Sequence, residues 1–213
     1  MSEKQATPNG RWKRKGIAAN DRWRPKQPAT PRNCQECRAK DPASCEHPNC
    51  PDGALAAYAN AVDEDVLDFI DEARSKGQES VAPIAVAEIS AAQAETLKNL
   101  NGADYTGYSV CLTGGAIAHI DKRHGIKGKA DRSMADDRDL ARIGWVINNF
   151  DSVEVSQKKN KRLTNTGGTA SDIFVFTKRI NGQYFVAMAA PVTGKRAMYV
   201  LSAYKSGQQK TGH

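Results

Sequence analysis

The sequence predicts an α+β fold in which helices precede a four-stranded antiparallel sheet. Between residues 58 and 150 apolar residues recur at helical spacing, and after residue 150 short apolar runs are separated by turn-forming residues. Helices followed by consecutive strands are typical of α+β domains. A basic, cysteine-containing tail precedes this pattern at the amino terminus.

Charge is unevenly distributed along the 213-residue chain, whose net charge is +7. Residues 1–50 carry 11 Lys and Arg against 5 Asp and Glu, whereas residues 51–113 carry 3 against 11. We therefore expect a basic disordered tail at 1–33, a cysteine-rich segment at 34–57, an acidic helical segment at 58–104 and a folded domain at 105–213. The basic surface indicates an anionic partner.

Hydropathy predicts no membrane partner. No window approaches the roughly 20 apolar residues that a membrane span needs, and the amino terminus lacks the apolar core of a signal peptide. A cytoplasmic location is the expectation that follows.

The segment "CQECRAKDPASCEHPNC" holds four cysteines that are candidate metal ligands. Cys34, Cys37, Cys45 and Cys50 have the spacing C-x2-C-x7-C-x4-C, which can converge on one tetrahedral zinc ion. Disulfides or free thiols are the alternative interpretation, and disulfides would need an oxidising compartment. A zinc ion with four protein ligands would be structural, since no position is left for a reacting water.

The helices and first strands are predicted in order from local signals. "AVDEDVLDFIDEARSKG" reads as an amphipathic helix that stops at Gly77, and "VAPIAVAEI" as a strand. Ser90 can cap a second helix, and "TGYSVCLT" is a second strand. Thr113 can cap a third helix that ends at Gly125. A fourth helix, "DRDLARIGWVINNF", begins at Asp136 or Asp137.

Four strands complete the chain. They are "DSVEVS", "DIFVFTKRI", "QYFVAMAAP" and "AMYVLSAYKS". The dipeptide Asn181-Gly182 between the second and third runs predicts a tight hairpin, because both residues tolerate the positive φ of a type I′ turn. We expect these four runs to form the antiparallel sheet.

The third predicted helix carries a histidine pair, His119 and His124. Residues five apart lie about 140° apart around a helix, so the pair lacks the geometry of an HExxH zinc site. Proton transfer in RNA cleavage is an alternative role, because histidine titrates near neutrality. Ordinary packing of His119 in the core and capping of the helix by His124 is the interpretation that the spacing alone favours. Phosphate charge could be held by the nearby cations Lys122 and Arg123 or by Lys178 and Arg179.

The order of four segments adds a family resemblance. "CLTGGAIAHIDKRHG", "INNFDSVEVS", "YFVAMAAP" and "YVLSAYKS" together resemble phage-associated nuclease domains of the Barnase, EndoU, colicin and RelE (BECR) type. The similarity covers roughly residues 105 to 205. "HPNC" also resembles the end of phage head-morphogenesis domains, and a fusion boundary there would weaken the zinc hypothesis.

The resemblance implies a metal-independent endoribonuclease of the toxin or effector type. Carried over by position, His119 and His124 match the paired histidines, and Ser202 and Tyr204 match the hydroxyl-bearing end of the last strand. Thr113 could orient a phosphate at the helix start or simply cap the helix.

The resemblance also implies a reaction mechanism, a substrate and a protein partner. Attack by the ribose 2′-OH on the neighbouring phosphorus needs an acid and a base, and no catalytic metal is expected. RNA, including tRNA, is the implied substrate. An immunity protein or a phage structural protein is the implied protein partner, in a bacterial host cell or a virion.

A function of a different class explains the cysteines and the charge without catalysis. The chain would then be a noncatalytic, zinc-stapled protein that binds nucleic acid or a phage capsid. This hypothesis predicts bound zinc, salt-sensitive binding and no turnover.

Overall fold

The computed structural model describes residues 57–77, 80–156, 172–180, 182–192 and 194–207. The predicted tail at 1–33 and the cysteines Cys34, Cys37, Cys45 and Cys50 lie outside these ranges. The helices within them are α1 (Glu64–Lys76), α2 (Ala91–Asn101), α3 (Gly114–His124), α4 (Asp137–Ala141) and α5 (Ile143–Asn148). The strands are β1 (Ile84–Glu88), β2 (Ser109–Leu112), β3 (Ser152–Val155), β4 (Phe174–Ile180), β5 (Gln183–Pro191) and β6 (Ala197–Ser206).

The mixed α/β architecture is confirmed, but the predicted sheet of four antiparallel strands is wrong in number and direction. The described residues form a six-stranded sheet in the order β1-β2-β6-β5-β4-β3. Strands β3 to β6 are the predicted antiparallel meander. β2 adds to it in parallel along β6, and β1 pairs antiparallel with β2. Local patterning predicts each strand, whereas the parallel pairing joins segments far apart in the chain.

Several predicted helix boundaries are confirmed by capping hydrogen bonds. Ser90 and Gln93 form a reciprocal capping box at the start of α2. The Thr113 hydroxyl accepts from the backbone N–H of Ala116 at 3.0 Å, and Asp136 caps α4. α1 ends at Gly77, whose φ of 91° suits a residue without a side chain.

The helix predicted to start at Asp136 or Asp137 is divided into α4 and α5. The division falls at Arg142, whose backbone has φ −94° and ψ −1°. Its guanidinium donates to Asp139 and to the carbonyl oxygen of Ala59. The side chain that makes these contacts therefore belongs to the residue at which the helix is divided.

The hydrophobic core lies between the helices and one face of the sheet. Its largest sheet residues are Phe174, Phe176 and Phe185, which are fully buried against helix residues such as Ile120 and Leu140. The same core extends from Ala61 to Ala203, so it is continuous across residues 104 and 105. In the part of the chain that the structure describes, no helix is long and apolar enough to cross a membrane.

The opposite face of the sheet, here called the second face, is built from alternate residues of the same strands. Pairing across β6, β5, β4 and β3 aligns Ser202 with Met188, Val175 and Glu154 in one row. The next row aligns Tyr204 with Val186 and Thr177. The side chains of Ser202 and Tyr204 therefore share the second face.

Candidate active site

The carboxyl end of α3 is wrapped by the loop at residues 125–136. Backbone N–H groups of the loop donate to the last free carbonyls of the helix, from Lys129 to Lys122 at 3.0 Å and from Met134 to His124 at 2.8 Å. Two glycines permit this approach: a Cβ on Gly128 would lie 2.2 Å from the carbonyl oxygen of Asp131, and one on Gly125 would lie 2.7 Å from that of Asp121. The loop conformation is therefore set by close backbone packing.

This loop brings a carboxylate to the second predicted histidine. Oδ2 of Asp131 lies 2.9 Å from Nδ1 of His124, and Oδ1 accepts from the backbone N–H of Ser133 at 2.9 Å. Burial raises the pKa of Asp131, but the Ser133 and His124 hydrogen bonds outweigh it and leave the pKa below its usual value. An ionised Asp131 favours a proton on Nδ1, which leaves Nε2 of His124 for proton transfer.

The other side of the imidazole lies against a tyrosine from the last strand. The ring centroids of His124 and Tyr204 are 5.2 Å apart and their planes are 27° from parallel. β2 pairs with β6 only as far as Tyr199, so the later part of this edge is open to the loop. There the Ser133 hydroxyl accepts from the backbone N–H of Lys205 at 3.1 Å. Two predicted site residues are thus in contact.

The surroundings of Tyr204 favour the neutral form of its hydroxyl. Burial raises the pKa of Tyr204, and the negative charges of Glu154 and Asp131 raise it further. Glu154 projects from the second face two strands beyond β5, where its charge still acts on the Tyr204 hydroxyl. Ser202 is buried next to Tyr204 along the same face. The arrangement brings together a histidine, a phenol and the carboxylate of Asp131, and Glu154 lies three strands away on the same face.

The predicted phosphate cations of β4 occupy different environments. Lys178 is 4% exposed, and its Nζ lies 2.5 Å from Oδ1 of Asp151, so its charge is already compensated. The side chain of Arg179 is on the second face, with its guanidinium carbon 5.9 Å from the ring centre of Tyr184. Of the two, Arg179 is the exposed cation.

The remaining predicted residues lie along α3. Thr113 caps its start through the Ala116 N–H. Lys122 and Arg123 are exposed in the last turn. His119 is half-buried within the helix and, five residues from His124, lies about 140° away around the axis. The helix therefore directs the two histidines to different sides.

A buried ionic network supports the strand that carries Tyr204. Asp139, which is 5% exposed, accepts from the Tyr58 hydroxyl, from Nζ of Lys205 and from Arg142. The guanidinium of Arg142 lies over the Tyr58 ring, 4.5 Å from its centre. Burial is the largest cause that raises the pKa of Tyr58, followed by the hydrogen bond to Asp139. The network ties α4 to β6 beside Tyr204.

Sequence reasoning missed Asp131 and Glu154. Asp131 precedes Ser133 in a polar turn, a spacing typical of a carboxylate that accepts from the backbone two residues later. Glu154 is the charged residue between two apolar ones in "DSVEVS". Both signals are common in proteins without an active site. Asp131 is distinguished by its contact with His124, and Glu154 by its position on the face that carries Tyr204.

Among the described residues, no group of three or more His, Cys, Asp or Glu side chains could hold a metal ion. The cysteines predicted to bind zinc are outside those residues, so the zinc hypothesis stays a prediction. Cys111, the cysteine of β2, is a free thiol whose pKa burial raises to about 11.

A mixed sheet flanked by helices, with a histidine–aspartate pair beside a tyrosine, is an arrangement suited to proton-transfer catalysis. The sequence profile of the phage Barnase-EndoU-ColicinE5/D-RelE-like nuclease 3 family matches residues 86–212. The match covers more than half of the chain and every strand of the sheet except the first two residues of β1. The chain belongs to this family of nucleases. No curated protein and no solved structure matches it significantly.

Proposed function

We propose that this nuclease is a metal-independent endoribonuclease that cleaves RNA through attack by the ribose 2′-OH. The observation that carries the proposal is the 2.9 Å contact between Nδ1 of His124 and Asp131, with the Tyr204 ring stacked on the same imidazole. An imidazole whose orientation is fixed by a carboxylate is suited to general acid–base catalysis.

The reaction requires one group to take a proton and another to give one. In the proposal Glu154 accepts the proton of the 2′-OH while O2′ attacks phosphorus. His124, protonated on both nitrogens, gives its Nε2 proton to the leaving 5′-oxygen. The products are a 2′,3′-cyclic phosphate and a 5′-hydroxyl, and Asp131 stabilises the protonated imidazole before transfer.

Glu154 is assigned this role in preference to His119. Glu154 lies on the same sheet face as Tyr204, and its negative charge contributes to the raised pKa of the Tyr204 hydroxyl. His119 is directed elsewhere by the helix. The two assignments differ in an observable way, because only one of the variants His119→Ala and Glu154→Gln should abolish cleavage.

Charge on the phosphate must be stabilised as the pentacoordinate centre forms. The neutral hydroxyl of Tyr204 can donate to a phosphate oxygen, and Arg179 supplies a positive charge on the same face. Ser202 lies one row from Tyr204 on the same face, where its hydroxyl can help to position the Tyr204 side chain. Lys178 is not assigned a role with substrate, since Asp151 already holds its charge.

The test is to follow cleavage of a single-stranded oligoribonucleotide, of tRNA and of a DNA of matched sequence with and without EDTA. We expect EDTA-resistant cleavage of RNA that leaves 2′,3′-cyclic phosphate ends, and intact DNA. Cleavage of DNA, or loss of RNA cleavage in EDTA, would contradict the proposal. The nuclease family would still hold in either case, but with a different substrate or mechanism.

A further inference from the structure

A basic groove lies on the side of α3 that faces α1. It encloses about 790 Å³ between the carboxyl end of α1, the length of α3 and the loop after α3. Volumes of this size are typical of pockets that hold small-molecule ligands or cofactors. Three lysines line it, Lys122 from α3 and Lys127 and Lys129 from the loop.

Positive charge in this groove exceeds negative charge. Arg74 makes paired hydrogen bonds to both Asp121 and Asp137, and this set has a net charge of −1. These bonds raise the pKa of Arg74, so its charge is permanent. The three lysines add +3 and have no ion-pair partner among the residues that the structure describes. A net charge of +2 remains for a ligand.

The lysines are held in place by the backbone that orients the catalytic histidine. The N–H of Lys129 donates to the carbonyl of Lys122, and the N–H of Asp131 donates to the carbonyl of Arg123. Two residues of chain span at most about 7 Å, so Lys129 is within that distance of Asp131 measured between Cα atoms. The groove and the His124–Asp131 pair are therefore formed by the two sides of one loop.

We propose that the groove lined by Lys122, Lys127 and Lys129 binds the phosphates of the RNA strand on one side of the bond to be cleaved. The inference rests on the proposed function, because it assigns to the same substrate a second binding site. A strand held by its phosphates in the groove passes over the loop and reaches His124. Recognition there is of charge and is independent of base sequence.

The experiment compares two substrates of different length. One is a dinucleoside monophosphate, which occupies the cleavage site alone, and the other is a single-stranded oligoribonucleotide long enough to reach the groove. The variant Lys127→Gln/Lys129→Gln should raise KM for the long substrate about tenfold with kcat unchanged. Its cleavage of the dinucleoside monophosphate should equal that of the wild type. The dependence of log kcat/KM on log salt should become shallower by about 0.7 for each lysine removed.

The matched control is Lys98→Gln/Lys195→Gln, which removes the same charge from exposed positions outside the groove. The control should cleave both substrates as the wild type does. Equal losses in the two double variants would show that net charge alone is responsible and would overturn the proposal. Unchanged cleavage of the long substrate by the groove variant would also overturn it, and would leave an acidic protein as the class of partner for the lysines.

Failure of the proposed function has a different signature. If wild-type protein cleaves neither substrate, the endoribonuclease assignment falls. Binding of the long oligoribonucleotide, measured by fluorescence anisotropy, then still tests whether the groove binds phosphates. Weaker binding by the groove variant than by the control supports the proposed groove, and equal binding by the two variants overturns it.

Discussion

The imidazole of His124 stacks on the ring of Tyr204 with 5.2 Å between centroids, although one residue ends a helix and the other lies in the last strand. The contact exists because β2 stops short along β6 and leaves an edge for the 125–136 loop. It joins the helical and the sheet part of the domain at the place where the carboxylate of Asp131 holds the histidine.

Replacement of His124 by alanine should lower kcat for RNA cleavage by about 10²–10⁴-fold, the usual contribution of a positioned acid or base. The change is measured as the rate of cyclic-phosphate formation under saturating substrate. His119→Ala is the matched control, since it removes the same group from the same helix and should keep most of the activity. Equal losses in the two variants would support the paired-histidine mechanism instead.

The tyrosine should act through both its ring and its hydroxyl. Tyr204→Phe keeps the stacked ring and should lower kcat about tenfold through loss of one hydrogen bond to phosphate. Tyr204→Ala should in addition destabilise the fold by about 1–3 kcal/mol, because a half-buried aromatic contact is removed. Urea unfolding separates the two effects. A fully active Tyr204→Phe protein would show that the hydroxyl has no role in catalysis and that Tyr204 acts only through the packing of its ring.

Gly128 should be essential for the position of Asp131. An alanine there would bring its Cβ to 2.2 Å from the carbonyl oxygen of Asp131, so the loop must move. We expect Gly128→Ala to destabilise the protein by about 1–3 kcal/mol and to lower kcat. Gly115→Ala is the control, since its Cβ would be 3.8 Å from the nearest atom, in ordinary contact. A Gly128→Ala protein with wild-type activity would show that the loop does not position the carboxylate.

The hydrogen bonds of Asp131 should make a small pH-dependent contribution to stability. The pKa of Asp131 in the folded state lies below the ordinary value of 3.8, so the contribution is complete above pH 3.8 and is lost as the pH falls through the folded-state pKa. Asp131→Asn removes it. The difference in unfolding free energy between wild type and variant, at most about 1 kcal/mol for a partly exposed pair, should shrink in acid. A difference that grows as the pH is lowered would have the wrong sign.

The buried carboxylate of Asp139 should be required for folding stability. Asp139→Asn leaves the charge of Lys205 and that of Arg142 without a counterion in a buried network, which costs about 3–5 kcal/mol. Thermal unfolding gives the measurement. Asp137→Asn is the control, since Asp137 is half-exposed and its partner Arg74 keeps Asp121. Similar stabilities of the two variants would show that the network contributes little.

Local chemistry in the sequence accounts for most individual elements. Ser90, Thr113 and Asp136 begin their helices because each hydroxyl or carboxylate accepts from a backbone N–H that has no helical partner. The four strands after residue 150 follow from the alternation of apolar and polar residues. The positive φ of 74° at Gly182 is the backbone conformation that the predicted hairpin turn needs. These are interactions between residues close in the chain.

The site was predictable only in part. His124 and Tyr204 were predicted together, through a family resemblance and not through any pattern of spacing. Asp131 and Glu154 carry no signal that distinguishes them from surface carboxylates. Lys178 was expected at the phosphate, but its partner Asp151 comes from the start of β3, a contact that no local pattern specifies.

The sequence by itself determined the basic charge, the helix caps, the strands and the class of fold, because each depends on propensities and contacts within a few residues. Tertiary structure decided the parallel pairing of β2 with β6, the division at Arg142 and the meeting of His124, Asp131 and Tyr204. These depend on which distant segments pack together. The packing of distant segments is determined by burial of apolar residues throughout the core, and those residues come from many separate stretches of the chain.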